Sequence, residues 1–224
     1  MEDIQVLERE ALRDKPDIGF KSKPVYDFFK RVFDVVCSLI ALVALSPLIL
    51  IISLLICIKD FGSPFYTQER IGKNKKVFKM YKFRSMYKNA DKLQEKLKKE
   101  NGVTDVSLKL EHDPRIIKGL GFIRTYSIDE LMQLFNVLKG DMSIIGPRPL
   151  PVYEYEEVKN NPAYDARYAV KQGLSCYWQI NRTKDTTFDE RMKMDLQYVK
   201  DRSFSTDIKI IFRTIGVVFK HNNY

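Results

Sequence analysis

The chain has 224 residues, of which 45% are hydrophobic and 30% charged, and its formal net charge is +9. This composition allows a packed core, and the length is too short for two full domains beside a long apolar segment. Three cysteines without paired spacing argue against a disulfide framework or a zinc site and fit a reducing compartment. Because His112 and His221 are the only histidines, any metal would be bound by oxygen ligands, which favours Mg²⁺.

The excess of basic residues is compatible with anionic lipid, phosphorylated substrates or nucleic acid as partners. No nucleic-acid-binding motif is recognisable, so no nucleic acid is expected. Most of the positive charge lies close to a long apolar run, which makes membrane lipid headgroups the first expected partner. Residues 1–24 mix both charges evenly with Pro16, Gly19 and Pro24, and we interpret them as a loose or partly helical N-terminal extension.

Residues 25–60 are predicted to be a membrane segment. The run Val32–Ile58 carries Asp34 as its only charge. As one helix it would be roughly 40 Å long, enough for a hydrocarbon core of about 30 Å. Ser46-Pro47 interrupts the run, because proline lacks the N–H that would bond the Val43 carbonyl. The run therefore divides into two halves, and the serine hydroxyl is a ready donor for the freed carbonyl.

The flanks of this segment bear on its topology. Lys30 and Arg31 precede the run, and further lysines and arginines follow between residues 59 and 88; positive residues favour the cytoplasmic side. A re-entrant helix–break–helix hairpin places both flanks there, whereas a proline-kinked transmembrane helix leaves one on the other side. The residues alone leave both topologies open. A cleaved signal peptide does not fit, because the run starts late and lacks a small-residue cleavage site.

Residues 61–224 are expected to form an α/β, mainly helical domain. Phe65–Met86 alternates β-formers with basic residues and predicts strands, and Lys88–Asn101 has the pattern of a polar helix. Ser127–Leu138 is predicted to be a mostly buried helix, in which Ser127 is the N-cap and Glu130 completes a capping box. Gly140 suits the C-terminal cap.

Two more helices are predicted toward the C-terminus, Phe188–Val199 and Asp207–Lys220. The second is amphipathic, so its apolar face either packs on the core or lies on a membrane surface. The domain is therefore expected to carry amphipathic helices on its surface.

Asp129 and Glu130 are the first candidates for chemistry. They lie in the first turn of a predicted helix, where free N–H groups and the helix dipole favour anions. Asp129 should therefore ionise easily and could act as a nucleophile, and the two carboxylates could share a divalent cation. The ordinary alternative is that acidic residues are common in first turns.

Four basic residues could bind phosphate near these carboxylates: Arg124, Arg148, Lys82 and Arg84. The turn Gly146-Pro147-Arg148-Pro149 is rigid, which reduces the entropy lost when the arginine binds an anion. The alternative for the arginines is a solvated surface position, and for Lys82 and Arg84 contact with lipid.

These residues resemble the bacterial sugar transferases, the monotopic polyprenyl-phosphate phosphoglycosyl transferases that initiate surface-glycan assembly. The resemblance covers about residues 30–219. It rests on Lys30-Arg31-Val32-Phe33-Asp34, the Ser46-Pro47 break, Gln68-Glu69-Arg70-Ile71-Gly72, Tyr81-Lys82-Phe83-Arg84-Ser85-Met86 and above all the block from Ile123 through Asp129-Glu130 to Pro149.

The resemblance implies transfer of a sugar-1-phosphate from a UDP-sugar to undecaprenyl phosphate, with release of UMP, at the cytoplasmic face of the bacterial inner membrane. It implies that Asp129 attacks the β-phosphate to give an aspartyl phosphosugar and that Glu130 helps bind Mg²⁺. Arg124, Arg148 and Lys82 would hold phosphates. It also favours the re-entrant hairpin and allows a homodimer.

Some positions depart from the family pattern. Met132 stands where the family usually has proline, and Lys171-Gln172-Gly173-Leu174-Ser175-Cys176 replaces Arg-Pro-Gly-Ile-Thr-Gly. After Trp178-Gln179-Ile180, the usual Asn/Ser-Gly-Arg becomes Asn181-Arg182-Thr183. We expect the departures at Gln172, Cys176, Arg182 and Thr183 to bear on donor choice, so the sugar is not inferred from relatives. Asp195 matches a recurrent family acid without an assigned role.

The alternative function is a non-catalytic, membrane-anchored basic module that binds anionic lipid or a polyanion. Composition permits it, but it leaves the Asp129-Glu130 and Gly146-Pro147-Arg148-Pro149 motifs unexplained. A third hypothesis, a family member with decayed catalysis, is motivated by the C-terminal departures and opposed by the intact central block.

Overall fold

A computed structural model describes residues 22–88, 90, 113–181 and 186–219 of the chain. The predicted polar helix over 88–101 falls almost entirely outside these residues, as do Arg182 and Thr183. The first half of the described chain contains three α-helices, two strands and two 3₁₀ segments. In chain order these are α1 Pro24–Lys59, β1 Phe65–Ile71, the 3₁₀ segment Lys73–Lys75, β2 Val77–Phe83, α2 Gly121–Thr125, the 3₁₀ segment Ile128–Met132 and α3 Gln133–Lys139.

The second half of the described chain adds two strands and four helices. In chain order these are β3 Met142–Ile145, α4 Val152–Val158, the 3₁₀ segment Pro162–Ala169, β4 Gln172–Ser175, α5 Tyr177–Asn181, α6 Phe188–Asp201 and α7 Phe204–Phe219. The described part is mainly helical with two small two-stranded sheets, which confirms the predicted class in its coarse form.

Helix α1 has 36 residues and begins at Pro24, where the missing N–H costs nothing. It is the one described helix whose length and apolar composition suffice for a bilayer crossing, and 17% of its most apolar window is buried. The helical backbone continues through Pro47, so the two predicted halves belong to one helical element. The Ser46 hydroxyl donates to the Val43 carbonyl at 2.8 Å, which confirms the predicted partner for that carbonyl.

Both ends of α1 are fixed to the rest of the chain. Near the start, Arg31 donates to the Val137 and Leu138 carbonyls at the end of α3. Near the end, Ile52 and Ile56 are buried in a cluster with residues of β2, α2 and the adjacent loops, together with Met132. Ser46 and Pro47 lie between these anchors and are exposed.

The predicted strands form an antiparallel hairpin of β1 and β2. Phe65 is opposite Phe83 at the open end, and Ile71 is opposite Val77 beside the turn. Both faces of β2 contribute to the core: Met80 is buried with Val137 of α3 and Met142 of β3, whereas Phe83, on the opposite face, is buried with the end of α1.

The predicted helix Ser127–Leu138 differs from the observed structure at its start. Ser127 has a left-handed backbone (φ 55°) and caps nothing with its side chain, and residues 128–132 form a 3₁₀ segment before α3 begins. The predicted capping box is therefore wrong, and the Glu130 carboxylate is free to bond elsewhere. The predicted burial and the C-cap are confirmed, since Gly140 has φ 94°.

Strands β3 and β4 pair in parallel, with Met142 opposite Gln172 and Ile145 opposite Ser175. The pairing continues into the following turn, where Gly146 donates to the Ser175 carbonyl and Gly173 donates to the Pro147 carbonyl. Two glycines are required here because the backbones approach closely: a Cβ on Gly173 would lie 2.0 Å from the Gly146 nitrogen.

The two predicted C-terminal helices are confirmed as α6 and α7. A capping box of Thr187 and Glu190 starts α6. Helix α7 buries Ile210 in the core, whereas Ile208, Phe212 and Ile215 are exposed. Core packing is thus confirmed for one side of α7, and a second apolar side faces outward.

Substituting Gly173 by alanine should destabilise the fold through the β3–β4 contact. The new methyl group overlaps the backbone of Gly146, which cannot rotate away, and overpacking of this kind costs about 1–3 kcal/mol. Gly121→Ala is the matched control, because nothing lies within 4 Å of the added carbon. Thermal unfolding of both variants in detergent should show a lower midpoint for Gly173→Ala alone. Equal midpoints would contradict the packing argument.

Candidate active site

Glu130 lies at the centre of a cluster of four charged side chains from three parts of the chain. Arg148 Nη2 is 2.6 Å and Lys82 Nζ 3.3 Å from Glu130 Oε1, and Lys82 Nζ is 3.9 Å from Asp129 Oδ2. The lysine comes from β2, the carboxylates from the 3₁₀ segment and the arginine from the turn after β3. Folding therefore brings together four of the six residues that the sequence singled out.

Asn136 fixes the distance between β2 and the carboxylates. Its side chain is fully buried, accepts from the Tyr81 backbone N–H at 2.9 Å and donates to the Lys79 carbonyl at 2.7 Å. These two bonds pin α3 to the strand that carries Lys82. Sequence analysis missed this residue, although a polar side chain within an otherwise apolar helix was a usable signal.

The turn that carries Arg148 is held by two other arginines. Arg167 donates to the Arg148 carbonyl at 2.5 Å, and Arg70 donates to the Pro149 carbonyl at 2.9 Å. The rigidity predicted from the flanking prolines is thus reinforced by tertiary contacts. The guanidinium of Arg148 is held for ion pairing before any ligand arrives, which lowers the entropy cost of binding an anion.

Asp195 supports this turn through Arg167. The two side chains form an ion pair of 2.6 Å, and both have 0% exposed surface. A buried pair of this kind is strongly destabilised when one partner is removed, because the other charge stays buried and uncompensated. Asp195 is the family acid to which the sequence assigned no role. In the structure it pairs with Arg167, which in turn donates to the Arg148 carbonyl.

Trp178 completes the surroundings of Arg148. The guanidinium carbon of Arg148 lies 5.7 Å from the indole centroid, and Arg191 lies at the same distance from that ring. Arg191 also stacks on Phe188 at 5.2 Å. This aromatic and cationic stack was not predicted from the sequence, because its members come from α5, α6 and the turn after β3.

The environment gives the two adjacent carboxyl groups different proton affinities. Burial opposes ionisation of Glu130, but the charges of Arg148 and Lys82 and their hydrogen bonds outweigh it and hold its pKa well below the ordinary value. Glu130 in turn raises the pKa of Arg148, so this pair stays ionised.

Burial raises the pKa of Asp129, and the nearby charge of Glu130 raises it further against the opposing effect of Lys82, Arg124 and Arg148. Asp129 is therefore harder to ionise than the sequence predicts, because desolvation opposes its charged form. A carboxylate with raised proton affinity is also the more basic of the two and hence the better nucleophile.

The two remaining predicted residues lie differently. Arg124 contributes positive charge that acts on Asp129, without an ion pair to another described side chain. Arg84 is not part of the cluster: it forms a 2.6 Å ion pair with Asp60 and bonds the Asp60 backbone carbonyl, just after α1 ends. Its position links the end of the apolar helix to β2.

The cluster has the donor set for a hard cation. Within the described residues no group of three or more metal-binding side chains occurs, so a protein-only cage is not formed there. Mg²⁺ characteristically binds through one or two carboxylates together with substrate phosphates. The adjacent oxygens of Asp129 and Glu130 fit that requirement, with the phosphate oxygens supplied by a ligand.

Two of the four sequence departures can be placed. Gln172 is buried and donates to the Arg167 and Val170 carbonyls, and Cys176 is buried beside Gln179. Both side chains are therefore part of the support behind the Arg148 turn.

The chain was compared with known proteins. The family model "Bacterial sugar transferase" matches residues 25–221. The chain is 38% identical over 200 residues to "Exopolysaccharide production protein ExoY" of Sinorhizobium fredii, which covers 88% of each chain.

Two further relatives are longer proteins. "Galactosyl transferase CpsE" of Streptococcus agalactiae is 47% identical over 161 residues, 71% of this chain and 35% of that protein. "Undecaprenyl-phosphate galactose phosphotransferase" of Salmonella typhimurium is 38% identical over 199 residues, 87% of this chain and 41% of that protein. The chain thus spans well under half the length of these two relatives. The family match covers the membrane helix and the whole charged cluster, and the chain belongs to the bacterial sugar transferase family.

Proposed function

We propose that this protein is a phosphoglycosyl transferase that moves a sugar-1-phosphate from a UDP-sugar to undecaprenyl phosphate and releases UMP. The observation that carries the proposal is the partly buried Asp129-Glu130 pair facing Lys82 and Arg148, close to a long apolar helix. Relatives named as undecaprenyl-phosphate galactose and glucose phosphotransferases support the reaction class.

The proposed reaction has two displacements at one phosphorus atom. A carboxylate oxygen of Asp129 attacks the β-phosphorus of the UDP-sugar, the bond to the oxygen that bridges the two phosphates breaks, and UMP leaves with that electron pair. An oxygen of undecaprenyl phosphate then attacks the same phosphorus and releases Asp129. The product is undecaprenyl diphosphate carrying the sugar, and the carboxylate is regenerated.

The surrounding charges make attack by an anion on an anionic diphosphate feasible. Arg148 and Lys82 already contact the carboxylates, and Arg124 adds positive charge on the same side. Preorganised cations of this kind stabilise the charge that develops on phosphate oxygens during transfer. When bound, Mg²⁺ would be held by Asp129 and Glu130 and would supply further positive charge to the diphosphate.

We also propose that α1 is re-entrant, with both ends at the cytoplasmic face of the inner membrane. In a straight helix, Arg31 and Ile52 would lie about 31 Å apart. Arg31 bonds the carbonyl of Val137, and Ile52 shares a cluster with Met132. Val137 and Met132 are five residues apart along adjoining helical turns, which is only about 8 Å. These two anchors, together with the exposed Ser46-Pro47 step between them, support a bend that returns the chain to the same domain.

This arrangement suits an enzyme with one soluble and one lipid substrate. Residues 25–60 would hold residues 61–224 at headgroup height, where undecaprenyl phosphate presents its charged end. The exposed apolar side of α7 supports an additional contact with the membrane surface.

Asp129→Asn should abolish sustained UMP release from UDP-sugars in the presence of undecaprenyl phosphate and Mg²⁺. The amide keeps the shape of the side chain but cannot attack phosphorus, so the rate should fall by at least about a thousandfold, comparable to loss of a nucleophile. Asp165→Asn is the matched control, because it makes the same change at an exposed ion pair with Lys75. Undiminished release by Asp129→Asn, from folded protein in membranes, would exclude the proposed mechanism.

Arg148→Lys should lower kcat/KM for the UDP-sugar by about tenfold to a hundredfold. Lysine keeps the charge but replaces the planar fork with a single ammonium group, and one lost charged hydrogen bond is worth about 1.5–3 kcal/mol. Arg213→Lys on α7 provides the control for the same chemical change outside the cluster. The comparison requires initial rates of UMP release over a range of donor concentrations; a value for Arg148→Lys equal to that of the control would remove Arg148 from the site.

A further inference from the structure

A second cationic site lies at the other end of α3 from Asp129. A partly open cavity there is bordered by the start of α1, the β1–β2 turn, β3 and the segment before β4. Its volume for water-sized molecules is about 80 Å³, and at about 10–15 Å³ per water this accommodates several waters or one phosphate group. Five basic side chains border it: Lys30, Arg31, Lys73, Lys171 and Arg202.

Three of these five cations are already bonded within the protein. Lys30 forms a 2.7 Å ion pair with Asp207, and Arg202 lies 3.2 Å from Asp27. Arg31 bonds the two carbonyls at the end of α3, which leaves its positive charge without a carboxylate partner among the described residues. The other acidic group at the cavity, Asp34, accepts from the Ile144 N–H at 3.0 Å.

Lys73 and Lys171 form no ion pair or hydrogen bond with their side chains in the described part of the chain. A Cβ built on Gly140 would lie 3.5 Å from Lys171 Nζ and 3.4 Å from Arg31 Nη2. The two nitrogen atoms are therefore at most about 7 Å apart. Partial burial and the charges of Arg31 and Lys73 lower the pKa of Lys171. A bound anion would compensate this accumulation of positive charge.

The cavity is bordered by residues 26–34 of α1, the stretch in which the exposed apolar surface of that helix begins. Val32 and Val36, which follow Arg31 along the helix, are about half exposed, and Phe28 and Phe29 just before it are also exposed. A helix surface of this kind is covered by lipid, so the cations at its start lie in the headgroup layer. The phosphate of an anionic phospholipid is therefore within reach of Lys171 and Lys73.

We propose that this cavity binds a phosphate group, supplied by the headgroup of an anionic phospholipid, at a site separate from Asp129. The two sites are separated by α3, whose seven residues span about 10 Å. The same cations would also accept free inorganic phosphate, which shares the chemistry but not the lipid anchor. The proposal requires a membrane and does not depend on the transferase reaction.

The test is lipid binding to the full chain in detergent, measured by native mass spectrometry with equal amounts of phosphatidylglycerol and phosphatidylcholine. Wild type should retain phosphatidylglycerol preferentially. Lys73→Gln/Lys171→Gln should weaken that binding at least about tenfold, because two charged contacts are lost. Lys76→Gln/Lys79→Gln removes the same charge from exposed positions outside the cavity and should bind like wild type. Lipid bound near Asp129 is common to all variants and does not affect the difference.

Further measurements separate the remaining outcomes. Lys171→Arg keeps the charge and should retain binding, which distinguishes a lost contact from a folding defect. If millimolar inorganic phosphate displaces phosphatidylglycerol from wild type, the site takes phosphate from either source and the shared chemistry stands. Equal weakening in both double variants, or no preference for phosphatidylglycerol in wild type, would overturn the proposal.

Discussion

The ionised Glu130 carboxylate is the interaction on which the candidate site depends. It joins Lys82 of the first hairpin to Arg148 of the turn after β3, so three distant parts of the sequence meet at one partly buried group. Cations compensate the desolvation of such a carboxylate, and the same cations favour phosphate nearby. Glu130 therefore organises the site, while the neighbouring Asp129 keeps the higher proton affinity suited to a nucleophile.

The support behind this cluster is largely polar and buried. Asn136 fixes α3 to β2, and the Arg167–Asp195 pair fixes the backbone of Arg148. Such groups are expensive to bury, and they fix geometry because each has few satisfactory partners. The consequence is a cluster of charges whose geometry is fixed by buried polar groups, on a domain that contacts both ends of the apolar helix.

The apolar helix supplies the second constraint. Near its start, Arg31 bonds the end of α3 and Asp34 accepts from a backbone N–H of β3. Near its end, Ile52 and Ile56 are buried with β2 and α2. Both ends of the helix therefore pack against the domain. The cationic cavity lies on one side of α3 and the carboxylate pair on the other.

The sequence by itself determined the family, the apolar helix, the hairpin, the C-terminal helices and the residue types at Lys82, Asp129, Glu130 and Arg148. Periodicity and motif spacing suffice for these, because they depend on local pattern. Only the tertiary structure decided that Ser127 is left-handed and does not cap, that Glu130 pairs with Arg148 and that Arg84 binds Asp60 instead of the cluster. These outcomes depend on burial and on partners far along the chain. Desolvation raises the pKa of Asp129, and side-chain pairing across elements is not encoded in any short stretch of residues.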